Sequence, residues 1–463
     1  TRDEKIKELG PGWATGEGDV IGVAVAVEGW KGYFPLKHPG GGNFDEKIFY
    51  RNFKKLMALP NRKIFHNAMY DVGWLKQKDI QVNGNYIDTM IAAQIIDENR
   101  MGYSLNAVAK DYLGEKKNEN LLYEAAKEWG VDPKGEMFKL PAQFVGPYAE
   151  QDADLTLRLW HRLESEIYKQ DLVSVFSLET NILPALIEMK WRGVRVNTSR
   201  ATQIKENLLE EENALLTKIK SISGVSVDVW AARSVAKAFD AMDIPYNRTQ
   251  KAKEPKFDKN FLATHNSDLA KLVVQAREIN KARTTFIDTI MKHQKKGRIH
   301  AEIHQMKSDV GGTVTGRFSM SNPNLQQIPA RNEKIGPMIR SLFIPEEGAK
   351  WGCFDYNQQE PRLVAHYAAI TRNGLEGADK VIDGYNSDLD FHGTVAEMAN
   401  IDRKIAKTIN LGLFYGMGKG KLKSQLGLND EQADELFKTY HSRVPFVKQL
   451  TDQASKSAQE NGF

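Results

Sequence analysis

The chain is nearly devoid of cysteine: Cys353 is the single one in 463 residues. One thiol cannot build an internal disulfide framework or a cysteine-ligated zinc site. Its place in the apolar run "WGCF" (351–354) predicts a buried core thiol. Long hydrophobic runs are lacking as well. "VIGVAVAV" (20–27) is strand-length, well short of the roughly 20 residues that span a bilayer, and no signal-peptide pattern opens the sequence. The expectation is an intracellular soluble protein. Charge of one sign is also missing: 64 Lys+Arg against 60 Asp+Glu leave a formal +4, so composition alone does not announce nucleic acid. Any basic surface must come from local clustering. There is no internal repeat and no low-complexity tract. What remains is ordinary globular composition, 41% hydrophobic and 27% charged, over a length that predicts several domains.

The first 165 residues alternate strand-like and helix-like segments. "DVIGVAVAV" and "GYFPLKH" read as strands joined at "EGWKG", and "RKIFH" as a short strand followed by a helix from about Asn67. "YIDTMIAAQII" and "ADLTLRLWHRLESEIYKQ" read as helices, and the mixture predicts an α/β domain. From about Val173 to His293 long amphipathic runs predict helices. The polar stretch "NRTQKAKEPKFDKN" and the basic cluster "KHQKKGR" read as loop tips. Beyond Arg298 comes a Gly-, Asn- and Pro-rich segment, then "WGCF" as a buried strand, then a mostly helical remainder.

Three segments carry chemistry. In "IDRKIAKTINLGLFYGMG" (401–418), Arg403, Lys407, Leu411 and Tyr415 recur every four residues, so a helix sets them along one face over roughly 18 Å. Two cations followed by an apolar and an aromatic side chain match a nucleoside triphosphate: phosphates, then sugar, then base. In "KWGCFDYNQQEPRLVAHYA", Asp355 follows the predicted strand, Glu360 begins a helix and Pro361 suits its first turn. An acid so placed can hold a divalent cation against phosphate. Nearer the start, "FHNAMYD" ends in Asp71, and "YAEQDAD" puts Tyr148 and Asp152 on one helix face, where a carboxylate beside a phenol could hold a metal and orient its water.

Together these segments resemble family A DNA polymerases of the bacterial DNA polymerase I type. "DYNQQEPR", "RKIAKTINLGLFYG" and "TGRFSMSNPNLQQIPAR" are similar to the three polymerase signatures. "HNAMYD" and "YAEQDAD" are similar to two motifs of the 3′–5′ exonuclease domain. The resemblance implies a ribonuclease H-like α/β exonuclease domain at 1–165 without its first strand. A mostly helical palm-leading helix and thumb at 166–304, a partial palm at 305–370 and fingers at 371–463 would follow. It implies a template-directed DNA polymerase with proofreading, working on primer–template DNA and dNTPs with two Mg2+ ions per active site. The resemblance implies a phage-like monomer in the cytoplasm of a bacterial or phage-infected cell, with replication accessory proteins as further candidate partners.

Carried over by position, Asp355 resembles a metal-binding polymerase aspartate, and Asp71 and Asp152 resemble exonuclease metal ligands beside Tyr148. Arg403, Lys407 and His392 resemble triphosphate contacts, with Lys407 also placed among the catalytic residues. Glu360 resembles the residue that excludes ribonucleotides, Leu411 faces the sugar and Tyr415 the templating base. Tyr356 belongs with the nucleotide-binding residues. Arg317 and Gln326 resemble donors to the minor-groove acceptors that all base pairs share, and Arg331 joins them on DNA. The cluster around Lys295 and Lys296 is expected to hold phosphates without sequence preference.

The chain departs from the pattern in places. Asn357, Gln359 and Pro361 are substituted, and Leu411 stands where an aromatic is usual. No Asp-x-Glu pair precedes "DVIGVAVAV", and the His-Asp-Glu motif would lie past Phe463, so a sequence cut at both ends, lacking essential carboxylates of both sites, is expected. Two other readings stand beside the polymerase: a single-subunit RNA polymerase, against which Glu360 and the exonuclease-like motifs weigh, and an inactive primer–template binding protein.

Overall fold

The structure, a computed structural model, describes the chain except residues 331, 372, 373, 388, 389, 391, 394, 395, 397–401 and 463, and the side chains of 404, 405, 408, 414 and 443. It divides into a first unit, Thr1–Trp351, and a second, Gly352–Phe463. No helix among the described residues is long and apolar enough to cross a membrane.

The first unit opens as the α/β domain that its alternating pattern predicts. Strands Gly22–Val27 and Trp30–Pro35 pair antiparallel, with Val27 opposite Trp30. The two-residue turn this leaves takes Gly29 at φ +77°, a conformation glycine adopts without steric cost. Strands Lys63–Phe65 and Tyr86–Asp88 pair in parallel, and helix Ala68–Gln77 makes the crossover between them. "YIDTMIAAQII" therefore is not one helix, as its apolar run suggested. Tyr86–Asp88 is a strand, and the helix begins at Thr89 because the Asp88 carboxylate caps it through the Met90 N–H. Helix Ala142–Lys169 buries Leu155, Leu159, Trp160 and Leu163 in a core shared with Trp13, Phe49, Phe53 and Trp74. Helix Val173–Arg192 adds Phe176, Leu183 and Ile187 to that same core.

A second core belongs to the long helices. Thr198–Ser223 starts where Asn197 accepts the Arg200 N–H and stops at Gly224, φ +72°. It packs on Asp268–Lys281, which runs on through a π-helical segment, Ala282–Ile287, into Asp288–His293. The basic cluster that follows is a tight hairpin. Gln294–Lys295 pairs with Arg298–Ile299, and Lys296 and Gly297 both take positive φ at its turn.

The second unit is helical among its described residues, with its own core of Ala365, Ala368, Ala406, Ile409, Leu413, Tyr440 and Phe446. "WGCF" forms no strand there, and Cys353 is exposed rather than buried. A strand needs a neighbour for its N–H and C=O groups, and none pairs with 351–354 among the described residues. Its apolar residues consequently face solvent, Phe354 almost completely.

Candidate functional sites

In the first unit the fold gathers Asp71, Tyr148 and Asp152, which lie far apart in sequence. Asp71 sits on helix Ala68–Gln77, whose start is held by a clasp. Asp88 accepts the Asn67 N–H at 3.0 Å and the Ala68 N–H at 2.7 Å, and the Met90 N–H of the next helix at 2.8 Å. One buried carboxylate thus caps two helix N-termini, where backbone donors lack internal partners. Tyr148 and Asp152 share a face of helix Ala142–Lys169 as their spacing predicts. That helix is tied to the hairpin by Glu150, which accepts the Tyr33 N–H at 3.0 Å.

Crowding by surrounding protein atoms and the charges of Asp88 and Asp152 raise Asp71 above the usual carboxylate range, although its side chain stays open to solvent. Burial also raises Asp152, against the opposing pull of Lys117, and raises the Tyr148 phenol. On its own the centre therefore disfavours ionisation of its carboxylates, which a bound cation would restore, and its donors are hard oxygens. Both features fit a divalent cation that keeps part of its water shell. Among the described residues no group of three or more His, Cys, Asp or Glu is arranged to hold a metal, so these two carboxylates would share a cation with water and substrate. A cleft of about 700 Å³ opens beside Tyr148, bordered by Asn118, Leu121, Leu122, Phe144 and Gln151.

His66, just ahead of Asp71's helix, supports the site from behind. Its Nε2 lies 2.9 Å from the Tyr103 carbonyl oxygen and its Nδ1 2.9 Å from Thr89 Oγ1. Burial lowers the ring to about 4, so the folded protein keeps it neutral and the proton is taken up on unfolding. The stabilisation is complete above the ordinary histidine value of 6.5 and is lost as pH falls toward 4. Urea unfolding at about pH 7 and pH 4.5 should show the wild type losing about 2.5 kcal/mol more than His66→Gln over that interval.

In the second unit, Asp355 and Tyr356 lie exposed in the irregular stretch ahead of helix Gln359–Ile370, and Glu360 is in its first turn as expected. Arg362 pins the turn: its Nε donates to the Asn357 carbonyl at 2.9 Å, and its guanidinium lies 4.5 Å from the Tyr385 ring centre. Helix Arg403–Phe414 buries Ala406, Ile409, Asn410 and Leu413. Its other side exposes Arg403 and Lys407 and half-buries Leu411, and Tyr415 stands exposed one residue past its end. Gly416 ends the helix at φ +73°, a conformation glycine adopts without steric cost. Arg403 is engaged by Asp390, with Nη2 to Oδ1 at 3.0 Å. His392 is buried, with Nδ1 3.0 Å from the Asn410 side-chain amide.

Arg317 and Gln326 are exposed in the first unit, and the Gln326 side-chain amide donates to the Phe318 carbonyl at 3.0 Å. Arg331 lies outside the described residues. Around Lys295 the cations have acidic partners within the protein: Lys295 pairs with Glu17, Lys292 with Glu8 at 3.1 Å and Arg298 with Glu346 at 2.6 Å. Lys296, at the hairpin tip, is exposed.

Residues 198–463 match the family model for DNA polymerase family A. The chain belongs to DNA polymerase family A. Residues 36–168 match the model of a 3′-5′ exonuclease, so both catalytic domains of this polymerase are represented. Among its relatives, a DNA-directed DNA polymerase of Pseudomonas phage M6 is 38% identical over all of this chain and 78% of its own length. DNA polymerase I of Pseudomonas aeruginosa is 29% identical over 96% of this chain and 50% of its own length. The POL domain of Pol1 from M. smegmatis, solved in complex with DNA primer-template and dNTP, aligns with TM-score 0.75 at 22% identity. It covers 96% of this chain and 73% of that one, which shows the shared fold.

Sequence reasoning missed two residues that pack around Asp71 and Asp152: Asp88 and Lys117. Asp88 carried a signal, since an aspartate just before an apolar helical run is an N-cap signature. Lys117 carried none, because in "EKKNEN" it is one charge among several.

Proposed function

We propose that the polymerase to which this sequence belongs extends a DNA primer with dNTPs on a template strand and removes mispaired 3′ ends at a second centre. The observation that carries the synthetic reading is the pair Arg403 and Lys407, one turn apart on the exposed side of a helix whose other side is locked into the core. A rigid cationic rail suits phosphoryl transfer, which depends mainly on positioning and charge neutralisation. Asp355 in one centre, and Asp71 with Asp152 in the other, would hold Mg2+ ions, which when bound neutralise phosphate oxygens and activate the attacking oxygen.

The residues of the chain do the rest. Arg403 leaves Asp390 to grip the triphosphate with its planar fork, and Lys407 adds a point charge to the same phosphates. Leu411 packs on the sugar without offering a hydrogen bond. Tyr415 supplies a flat face for a base, Glu360 crowds the 2′ position, and Arg317 and Gln326 donate to minor-groove acceptors. At the second centre the cleft beside Tyr148 receives the unpaired 3′ nucleotide against Leu121 and Phe144, and the Tyr148 hydroxyl orients the attacking water.

Primer-extension kinetics test the synthetic reading. A hydrogen bond to a charged group contributes about 1.5–3 kcal/mol, so Arg403→Ala and Lys407→Ala should each raise the KM for dNTP by about 10–100-fold, with primer–template affinity unchanged. Loss of primer–template affinity with an unaltered KM would place these cations on DNA instead.

A further inference from the structure

The loop between helices Leu105–Leu113 and Asn120–Trp129 is tethered at three successive points. Arg158 forks onto both oxygens of Glu115, Nη1 to Oε2 at 3.0 Å. The Lys117 N–H donates to Asn106 Oδ1 at 3.2 Å, and the Asn118 N–H to Gln151 Oε1 at 2.8 Å. Two of these anchors, Arg158 and Gln151, lie on the helix that carries Tyr148 and Asp152. The Lys117 side chain is thereby held almost out of solvent, 9% exposed, with its ammonium 2.7 Å from Asp152 Oδ1. The same ammonium is 3.5 Å from the Tyr148 hydroxyl and 5.1 Å from the centre of its ring. A lysine ordinarily keeps its charged head in water. This one is strapped against a carboxylate that, on the reading above, serves a divalent cation.

We propose that Lys117 is a positioning residue of the 3′-end-cleaving centre: a built-in cation that holds the Asp152 carboxylate and the Tyr148 hydroxyl in register and competes with the divalent cation for Asp152 Oδ1. The proposal rests on the assignment of Asp71 and Asp152 to a cation. An ammonium at contact distance offsets the carboxylate charge that attracts a metal, and it repels a metal that binds beside it. The site accordingly binds a free divalent cation more weakly than its carboxylates alone would. A bound DNA end, whose phosphate offers the ammonium another anion, restores the affinity.

Mn2+ is the probe, with free ion counted by electron paramagnetic resonance over the full chain, without DNA. Lys117→Met should bind Mn2+ about tenfold tighter than wild type, and Lys117→Arg, which keeps the charge, should remain near wild type. Adding Asp152→Asn should erase the gain of Lys117→Met. Equal or weaker binding by Lys117→Met, with wild-type circular dichroism, would overturn the competition and leave the metal reading of the centre standing. If Lys117→Met does not fold, equal affinity of Lys117→Arg and Lys117→Gln overturns it equally. Absence of a site titrating with Asp152 in any variant would overturn the metal reading itself, and this proposal with it.

Discussion

Lys190→Met should destabilise the first unit by about 3–5 kcal/mol, the cost of leaving a buried charge without its partner. Lys190 is 1% exposed at its side chain and pairs with Glu302, itself 13% exposed. Its ammonium lies 4.5 Å from the centre of the Trp13 ring and 3.5 Å from the Pro11 carbonyl oxygen. Three pieces of chain therefore converge on one nitrogen: the N-terminal segment, helix Val173–Arg192 and strand Glu302–His304. Burial depresses the lysine and raises the glutamate, each opposed by the other's charge. Removal of one partner strands the other, whereas removal of both replaces an expensive pair with neutral groups. Lys190→Met/Glu302→Gln should accordingly recover most of the loss. Urea denaturation of the four proteins of this cycle, read at the transition reported by tryptophan fluorescence, decides the matter. A double variant as unstable as Lys190→Met would mean that packing against Trp13, not charge, sets the cost.

Asp88→Ala should cost a further about 3–5 kcal/mol in the same unit. Three backbone donors lose one acceptor, at about 1–3 kcal/mol for each N–H left unsatisfied, with partial relief as water enters. Asp88→Asn, which keeps one side-chain oxygen, should recover a substantial share. The variant separates two roles as well, because the clasp fixes the start of the helix that carries Asp71. Amide hydrogen exchange should show loss of protection at Asn67, Ala68 and Met90 in Asp88→Ala. Unchanged protection there would mean that other acceptors replace the carboxylate.

The chemistry of this polymerase was more legible in its sequence than its local architecture. Arg403, Lys407 and Leu411 announce their shared face because a helix converts spacing directly into geometry. Tyr148 and Asp152 are legible for the same reason. Asp71 was legible as a motif, but its company was not, since parallel pairing of Lys63–Phe65 with Tyr86–Asp88 is a contact between distant segments. The apolar run after Asp88 concealed a strand-to-helix junction decided by a single hydrogen-bonding carboxylate. Misreading "WGCF" has the same origin, because apolar composition marks a strand only where a neighbour exists to pair with it. The basic hairpin shows a different limit: clustering marked the cations Lys292, Lys295 and Arg298 but not the distant acids, Glu8, Glu17 and Glu346, that pair with them.

The exposure of Cys353 gives the protein a natural attachment point. It is the only thiol in the chain, and a single residue, Phe354, separates it from Asp355, the carboxylate proposed for nucleotide addition. A maleimide fluorophore or nitroxide will therefore react at one place in the unmutated protein, with no background to subtract. Its emission or spin mobility becomes a local gauge of whether DNA or dNTP changes the surroundings of Asp355.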